Sequence, residues 1–546
     1  MPLRYADAAT EAYAFPLTIR HLLKTALATA SAERIVYRDQ ASYSYGDFVG
    51  RVGRLASMLQ SIGADQGMTV AVMDWDSHRY LEAYFAIPMM GAVLQTVNVR
   101  MPVPQIAFTL QKAQAEILLV HRDFFPIVEA VRSELPGLKA VIAIADGVAI
   151  DTPAWAVGEY EAMSSLASPD YPFEDLDENA IATTFFTTGT TGDPKGVCFT
   201  HRQLVLHTLA LAGQFGAARV TAAIGMGDVY MPLTPMFHVH AWGVPYLATM
   251  LGLKQVYPGR YEPALLCRLR VEHGVTYSHC VSTILEMLLQ AAEATRTDLA
   301  GWKITVGAAA LPRQLCAKAR ALGMEIGTGY GMSETGPLIA RTGPLSPEEW
   351  DDEEATLTAL TLAGMPAPLV EMMIVDEEMK PLPHDGEARG ELMLRAPWLT
   401  PGYVDSDGAS AELWRGGWLH TQDIASIDSQ GRLRIRDRLK DVIKTGGEWI
   451  DSILLEELVA TAEGVADAAV IAVPDERWNE RPLAVIIATP GAVPTLEAIN
   501  APVLRAITRG QITKYAKLGR FEIVAELPRT SVGKIDKKRL RAMFAA

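Results

Sequence analysis

Cysteine is scarce in this chain. The four present, Cys198, Cys267, Cys280 and Cys316, are scattered and form no Cys-x-x-Cys pair, which argues against a disulfide framework or a zinc site. No run of about 18 apolar residues occurs, the length a membrane-spanning helix needs. The first ten residues also lack the basic stretch and apolar segment of a secretory leader. A soluble cytoplasmic protein with no integral membrane segment is therefore expected. Positive charge is in short supply too: 49 Lys and Arg stand against 64 Asp and Glu, for a net charge of -15 and a pI near 5.3. That balance opposes nonspecific attraction to nucleic acid and to anionic membranes, so any bound nucleotide must be met by local cations and backbone dipoles. No internal repeat or low-complexity tract is present.

What is present is an ordinary globular composition, 49% hydrophobic and 21% charged over 546 residues. The chain is too long for one compact core and suggests two to four structural units. From Pro16 to about Ala180, helical patterns such as Leu17 to Lys24 alternate with apolar strands such as Val70 to Met73 and Glu116 to Val120. This alternation argues for βα units on a mostly parallel sheet. A second such stretch runs from about Thr187 through Thr305 and Val306 to roughly Ala340, and a cleft is expected between the two layers. Between about Pro344 and Asp437 the pattern changes to short strands with turn signals: Val370 to Val375, Gly390 to Leu394 and Arg432 to Ile435. The acidic run Ser346 to Glu354 at its entrance reads as a solvated helix face. After Asp437 come a helix signal over Ile453 to Thr461 and strand signals over Ala468 to Val473 and Leu483 to Ala488. The expected fold is α/β, mixed α+β at its end. Residues 1–437 would form a large N-terminal domain of two α/β subdomains with a small β subdomain at about 344–437, and 438–546 a small C-terminal α+β domain.

The most informative segment is Thr187-Thr-Gly-Thr-Thr-Gly-Asp-Pro-Lys-Gly196. Gly189 and Gly192 let backbone N–H groups approach oxyanions, Thr187, Thr188, Thr190 and Thr191 add hydroxyls, and Lys195 adds a cation. The string follows the apolar run Ile181 to Phe186, so the cradle sits at a strand exit, where ligands gather in α/β proteins. It is not a Walker A loop, because Pro194 precedes Lys195 and Gly196 follows it.

The cradle resembles the signature of adenylate-forming enzymes, the superfamily of acyl-CoA synthetases, firefly luciferase and peptide-synthetase adenylation domains. Further family motifs follow in order: Pro235-Met-Phe-His-Val-His-Ala-Trp242, Gly329-Tyr-Gly-Met-Ser-Glu-Thr335, Gly417-Trp-Leu-His-Thr-Gln-Asp423, Asp437-Arg-Leu-Lys-Asp441, Gly446-Gly-Glu-Trp449 and Pro528-Arg-Thr-Ser-Val-Gly-Lys534. Within the superfamily the chain looks most like bacterial medium- and long-chain fatty acyl-CoA synthetases and methylmercaptopropionate-CoA ligases.

The resemblance implies ATP, CoA and Mg2+ as ligands, and a mobile C-terminal lid hinged near Lys440. It implies that Glu334 binds magnesium with Thr187 as companion, and that Gly329, Tyr330, Gly331, Ser333, Thr335 and Ala308 surround the nucleotide, Tyr330 offering its ring to adenine. Asp423 would accept from the ribose hydroxyls, with Arg438 and Lys440 as further nucleotide contacts and Trp449 either touching the nucleotide or simply packing. Lys534 would act as a positioned cation between carboxylate and α-phosphate. His238, Val239, Trp242, Ala308 and Ala309 would border the acid, with His238 nearest the reacting carboxylate. Lys444, Gly446, Gly447 and Glu448 belong to the face that the lid brings in for thioester formation.

Two departures stand out. Gln422 replaces the glycine of the family's common Thr-Gly-Asp, and Ala308 stands where relatives usually carry a second glycine, which alters the wall beside adenine or acyl group. The expected activity is an AMP-forming acid:CoA ligase for an aliphatic acid, fatty or short thioether. Competing readings are an aryl-acid ligase, transfer to a carrier protein, oxygenation as in luciferase, and a noncatalytic nucleotide sensor. No carrier-domain sequence follows Lys534, and both Glu334 and Lys534 are present, which weighs against the carrier and sensor readings. Similar synthetases form homodimers, but no interface is legible in the sequence.

Overall fold

The computed structural model describes residues 3–187, 193–216, 221–343, 346–445, 448–475, 477–530 and 534–544. Two large sheets dominate. The first has seven strands in the order Gly158–Glu159, Ala140–Ile144, Ala115–His121, Thr69–Met73, Val93–Thr96, Ile181–Thr187 and Lys195–Thr200. Its pairings are parallel except the last, where Thr187 pairs with Lys195. The runs Thr69–Met73 and Ala140–Ile144 are buried along their whole length, as expected of parallel strands covered on both faces.

The second sheet has nine strands, ordered Met365–Pro366, Leu338–Arg341, Glu325–Gly331, Lys303–Gly307, Tyr277–Val281, Val229–Tyr230, Lys254–Tyr257, Arg34–Tyr37 and Ala41–Ser44. Its membership differs from the sequence-based division. Arg34–Tyr37 leaves the N-terminal stretch to pair in parallel with Lys254–Tyr257, while the strands flanking the threonine cradle complete the first sheet. Alternation of helix and strand signals shows that strands exist, but pairing is set by burial of their faces, which local pattern does not encode.

One continuous core joins the sheets, combining Val70, Leu94 and Phe185 with Ile35, Tyr37 and Tyr257. The helix His78–Met89, capped by Ser77, is buried on every side. Its charged residues are compensated: Arg79 meets Asp146 at 2.5 Å and Glu82 meets Arg51 at 2.6 Å, while the Tyr160 hydroxyl donates to Glu82 at 2.6 Å. Removing one partner would strand a buried charge.

Residues 347–360 form two short helices capped by Ser346 and Asp352, and Leu357 and Leu360 enter the core of the second sheet. A four-stranded antiparallel sheet follows, Glu371–Val375, Gly390–Arg395, Leu419–Ile427 and Leu433–Arg438. Beyond it a separate sheet is built from Glu448–Ile450, Ile443–Thr445, Asn479–Ala488, Val465–Asp475 and Phe521–Ile523. The helix Ser452–Ala460 packs on it, and Ile443, Leu455, Val470, Ile486 and Val503 share a core of their own.

Candidate active site

The strand Ile181–Thr187 delivers Thr187 to the edge of the first sheet, and the chain returns on Lys195–Thr200. The cradle residues Thr188, Gly189, Thr190, Thr191 and Gly192 lie outside the described residues. The returning strand is pinned from the four-stranded unit: Val404 N–H donates to the Gly196 carbonyl at 2.8 Å, and the Lys195 ammonium lies 4.7 Å from the Tyr403 ring centre.

Thr187 and Lys195 open onto a cavity of about 250 Å³. Glu334 reaches it from the turn Ser333–Thr335, which ends the antiparallel pair Glu325–Gly331 and Leu338–Arg341. The Glu334 carboxylate is 7% exposed and accepts from the Tyr403 hydroxyl at 2.6 Å. Burial raises its pKa above the ordinary value, opposed by Tyr403 and by the more distant Arg438 and Lys195. Thr335 holds the turn from inside: its hydroxyl bonds the Met332 N–H at 3.0 Å, and its carbonyl accepts from Trp398 Nε1 at 3.0 Å. Gly331 is obligatory here, because a Cβ would stand 1.6 Å from the Pro337 carbonyl oxygen.

Gly329, Gly331 and Ser333 line the cavity, while Tyr330 between the two glycines donates its hydroxyl to Asp423 Oδ2 at 2.7 Å. Asp423 Oδ1 lies 3.3 Å from Arg438 Nε, so phenol, carboxylate and guanidinium form one row beside the cavity. Gln422 takes φ +57°, the left-handed conformation that a glycine at this position would adopt freely. Its carbonyl accepts from Leu439 N–H at 2.9 Å, which places Arg438 and Lys440 at the rim. Asp423 itself is kept in place despite the substitution.

The opposite wall comes from the segment 235–243. His238, Val239 and Trp242 face the cavity, as do Gly307 and Ala308. Four consecutive residues, Val239, His240, Ala241 and Trp242, have φ of 48°, 52°, 46° and 60°, and Gly243 follows at 74°. Left-handed backbone costs about 1–2 kcal/mol per L-residue, so this turn persists only because its surroundings over-determine it. The His240 ring is fully buried, with neither nitrogen hydrogen-bonded. Tyr84 and Phe185 present themselves edge-on at 5.7 and 5.2 Å. Burial lowers its pKa to about 3, which keeps it neutral. Gly307 admits the Trp242 ring, since a Cβ there would lie 2.9 Å from it. Ala308 adopts φ +70°, so the methyl that replaces the relatives' glycine is carried on a conformation suited to glycine.

Lys534 enters the same cavity from the C-terminal unit. Its loop is closed by Thr530 N–H donating to the Lys534 carbonyl at 2.7 Å and by the Arg529 to Ile535 bridge. Burial lowers the ammonium pKa to about 8, helped by Arg438 and Lys440 and resisted by Asp423 and Glu334. The same surroundings reach His238: burial, then Lys534 and Arg100, lower its pKa to about 3.

Other candidates stand apart. Ala309 is exposed and does not line the cavity. Trp449 borders a separate open recess with Val375, Glu377 and Arg389, where the Lys444 ammonium lies 5.1 Å from the Trp449 ring and 3.4 Å from Glu377. Glu448 is exposed on the same strand, and Gly446 and Gly447 lie outside the described residues. In this orientation the Trp449 face is therefore not at the cavity. Sequence reasoning missed Asn98, Met332, Tyr403 and Thr421, all of which line it. The Pro401-Gly-Tyr403 turn carried no signal of its own, because Tyr403 becomes a site residue only through pairing with Val197.

A cavity lined by Thr187 and Lys195 at a strand end, by Glu334, and by a lysine from a second unit is the arrangement expected of an enzyme that activates a carboxylate with a nucleotide. The AMP-binding enzyme family model matches residues 23–404 and its C-terminal domain model residues 454–534, and the chain belongs to that family. Among its relatives, a long-chain-fatty-acid–CoA ligase of Thermus thermophilus is 39% identical over 92% of this chain and 90% of its own length. A 3-methylmercaptopropionyl-CoA ligase of Ruegeria pomeroyi is 35% identical over 90% of each. The solved structure of an anthranilate CoA ligase with anthranoyl-AMP shares the fold, with a TM-score of 0.82 at 21% identity over 97% of this chain and 98% of that one.

Proposed function

We propose that the protein is an ATP-dependent, AMP-forming acid:CoA ligase that activates an aliphatic carboxylic acid, fatty or short thioether. The observation that carries this reading is the convergence of Lys534, Glu334, Thr187 and His238 on one cavity. The two relatives named above support it.

In the first half-reaction a carboxylate oxygen attacks the α-phosphorus of ATP, a P–O bond forms, and the bond to the β-phosphate oxygen breaks to release pyrophosphate. Both reactants are anionic, so the site must neutralise charge and hold them in line. Lys534 supplies a buried ammonium between them, Arg438 and Lys195 add positive charge at the rim, and Asp423 with Tyr330 holds the nucleoside side. The oxygen donors fit magnesium. Glu334 is a buried carboxylate that forms no salt bridge among the described residues, and Thr187 adds a hydroxyl on the same cavity. Among the described residues no three His, Cys, Asp or Glu side chains form a complete metal cage, and Mg2+ characteristically completes its octahedron with phosphate and water oxygens. When bound, the ion screens phosphate charge.

In the second half-reaction the CoA sulfur attacks the acyl carbon, the thiol proton passes to solvent, and AMP leaves. For this step the C-terminal unit would turn about Lys440, withdrawing Lys534 and bringing the Lys444 to Trp449 face to the cleft. The stretch of wall formed by Val239, Trp242, Ala308 and Leu338 is apolar and suits an uncharged tail; the aliphatic class rests on the two relatives. We assign the activity to the cytoplasm, consistent with no helix of the described residues being long and apolar enough to cross a membrane, and expect a homodimer, which sedimentation would reveal. The test of function is AMP formation with ATP, magnesium and CoA across acids from propionate to palmitate, methylmercaptopropionate, benzoate and coumarate. A maximum among the aliphatic acids is expected. A maximum among the aromatic acids would overturn the substrate class, and pyrophosphate release without CoA-dependent AMP would overturn the acceptor.

A further inference from the structure

We propose that Asp76 is a positioning residue for adenylation, clamping the segment that aims His238 at the reacting carboxylate; this rests on the ligase reading above. The need for a clamp follows from the strained turn. Among the described residues no hydrogen bond reaches the His238 ring, so its direction depends on its backbone. Immediately after it the chain enters the left-handed run 239–243, which would relax if its entrance were free.

The entrance is held from the first sheet. Asp76, between the strand Thr69–Met73 and the helix His78–Met89, is 3% exposed, and its Oδ1 accepts the Met236 N–H at 2.8 Å. The Tyr84 hydroxyl donates to the Met236 carbonyl and the Thr96 hydroxyl to the Phe237 carbonyl at 3.1 Å. Of these three tethers only Asp76 offers a charged acceptor, and charge-assisted hydrogen bonds are the stronger kind. It is also anchored twice to the second sheet's side: its Oδ2 accepts from the Tyr261 hydroxyl, and its carbonyl accepts from Gly259 N–H at 2.8 Å. One carboxylate thus ties both layers to the loop that carries His238.

Its protonation is open to experiment. Burial raises the Asp76 pKa to about 7, against the hydrogen bonds from Tyr261 and Met236 and the charge of Arg100. Facing it are the phenols of Tyr80 and Tyr84 from the helix, Tyr230 and Tyr257 from the second sheet, and Tyr261 beyond it, with Asp74 as the nearby carboxylate. The charged clamp is present above pH 7 and lost as the pH falls through it. His238 titrates far below this window and Lys534 above it, which isolates the lower limb.

The experiment is acid-dependent pyrophosphate release by wild type, Asp76→Ala and Asp76→Asn from pH 5.5 to 9. Asp76→Ala is expected to lose about 100-fold in kcat/KM for the acid, the effect of an ångström-scale misplacement, with KM for ATP within twofold of wild type. Asp76→Asn keeps only a neutral acceptor for Met236, as the protonated carboxyl does, so it should hold at every pH the reduced activity that wild type reaches below pH 7, above that of Asp76→Ala and without the fall. Unchanged acid kinetics in Asp76→Ala, equal damage to the ATP KM, or a persisting lower limb in Asp76→Asn would each overturn the clamp alone. A wild type with no acid-dependent release would overturn the ligase reading, and the clamp with it.

Discussion

Lys534 shows how far a single side chain's behaviour departs from its surroundings in sequence. Near a chain end a lysine is ordinarily a solvated residue, yet here burial brings its ammonium down to about 8. Replacing it by alanine should reduce pyrophosphate release by orders of magnitude while leaving thioester formation from supplied acyl-AMP intact; equal loss of both would remove it from the first step. The sign of the pH effect follows directly. The lysine is charged below pH 8, so adenylation should decline as the pH rises through 8, and a single-turnover measurement of the thioester step should lack that limb. Glu334→Gln keeps the shape and the Tyr403 contact but removes the charge, so the magnesium concentration for half-maximal adenylation should rise by about tenfold or more, on the order of one charge-assisted contact. Ala308→Gly should relieve a φ of +70°. A stabilisation of about 1 kcal/mol, read by denaturant unfolding, is the expected result.

At the scale of elements, the helix Tyr45–Ser61 rests on a complete capping box in which Ser44 accepts from Asp47 N–H and Asp47 reaches back to Ser44 N–H. Ser44→Ala should lower stability by about 1 kcal/mol without altering kinetics. That helix was not read in the sequence; the strands that were legible carry signals that are local. The strands Thr69–Met73 and Ala115–His121 announce themselves as apolar runs, and the motifs around Gly329 and Asp423 meet in the structure, Gly329 lining the cavity and Asp423 bonded to Tyr330 and Arg438 beside it. Pairing was not legible: nothing in Arg34–Tyr37 says that its neighbour is Lys254–Tyr257, more than two hundred positions away. The left-handed turn Val239–Trp242 was hidden for the opposite reason: its residues locally prefer other conformations, and tertiary contacts hold it, among them the bonds of Asp76, Tyr84 and Thr96 to Met236 and Phe237 at its entrance. Trp449 reads as a nucleotide contact from its motif, but which face of the C-terminal unit meets the cleft depends on that unit's orientation.

For the molecule as a whole, that orientation is held by contacts between the four-stranded sheet and the C-terminal unit. Arg389 meets Asp451 at 2.8 Å and Lys444 meets Glu377 at 3.4 Å. Burial raises the Asp451 pKa, with Arg389 and Arg436 opposing the rise, so Arg389→Ala leaves a carboxylate poorly matched in the docked state. The variant should favour the undocked lid, lowering the adenylation rate relative to the rate from supplied acyl-AMP, and a ratio unchanged from wild type would show that this pair does not hold the lid. The placement of Lys534 carries one more consequence. On the proposed mechanism, the ammonium that would draw ATP and acid together is mounted on the part that would depart before a thiol arrives, so its departure would also strip positive potential from the cleft. Pyrophosphate would lose its hold at the moment the path for CoA opens, and the protein would keep time electrostatically: escape of one product and admission of the next substrate would be a single mechanical event, and running the two out of order would require bringing a charge back into the cleft.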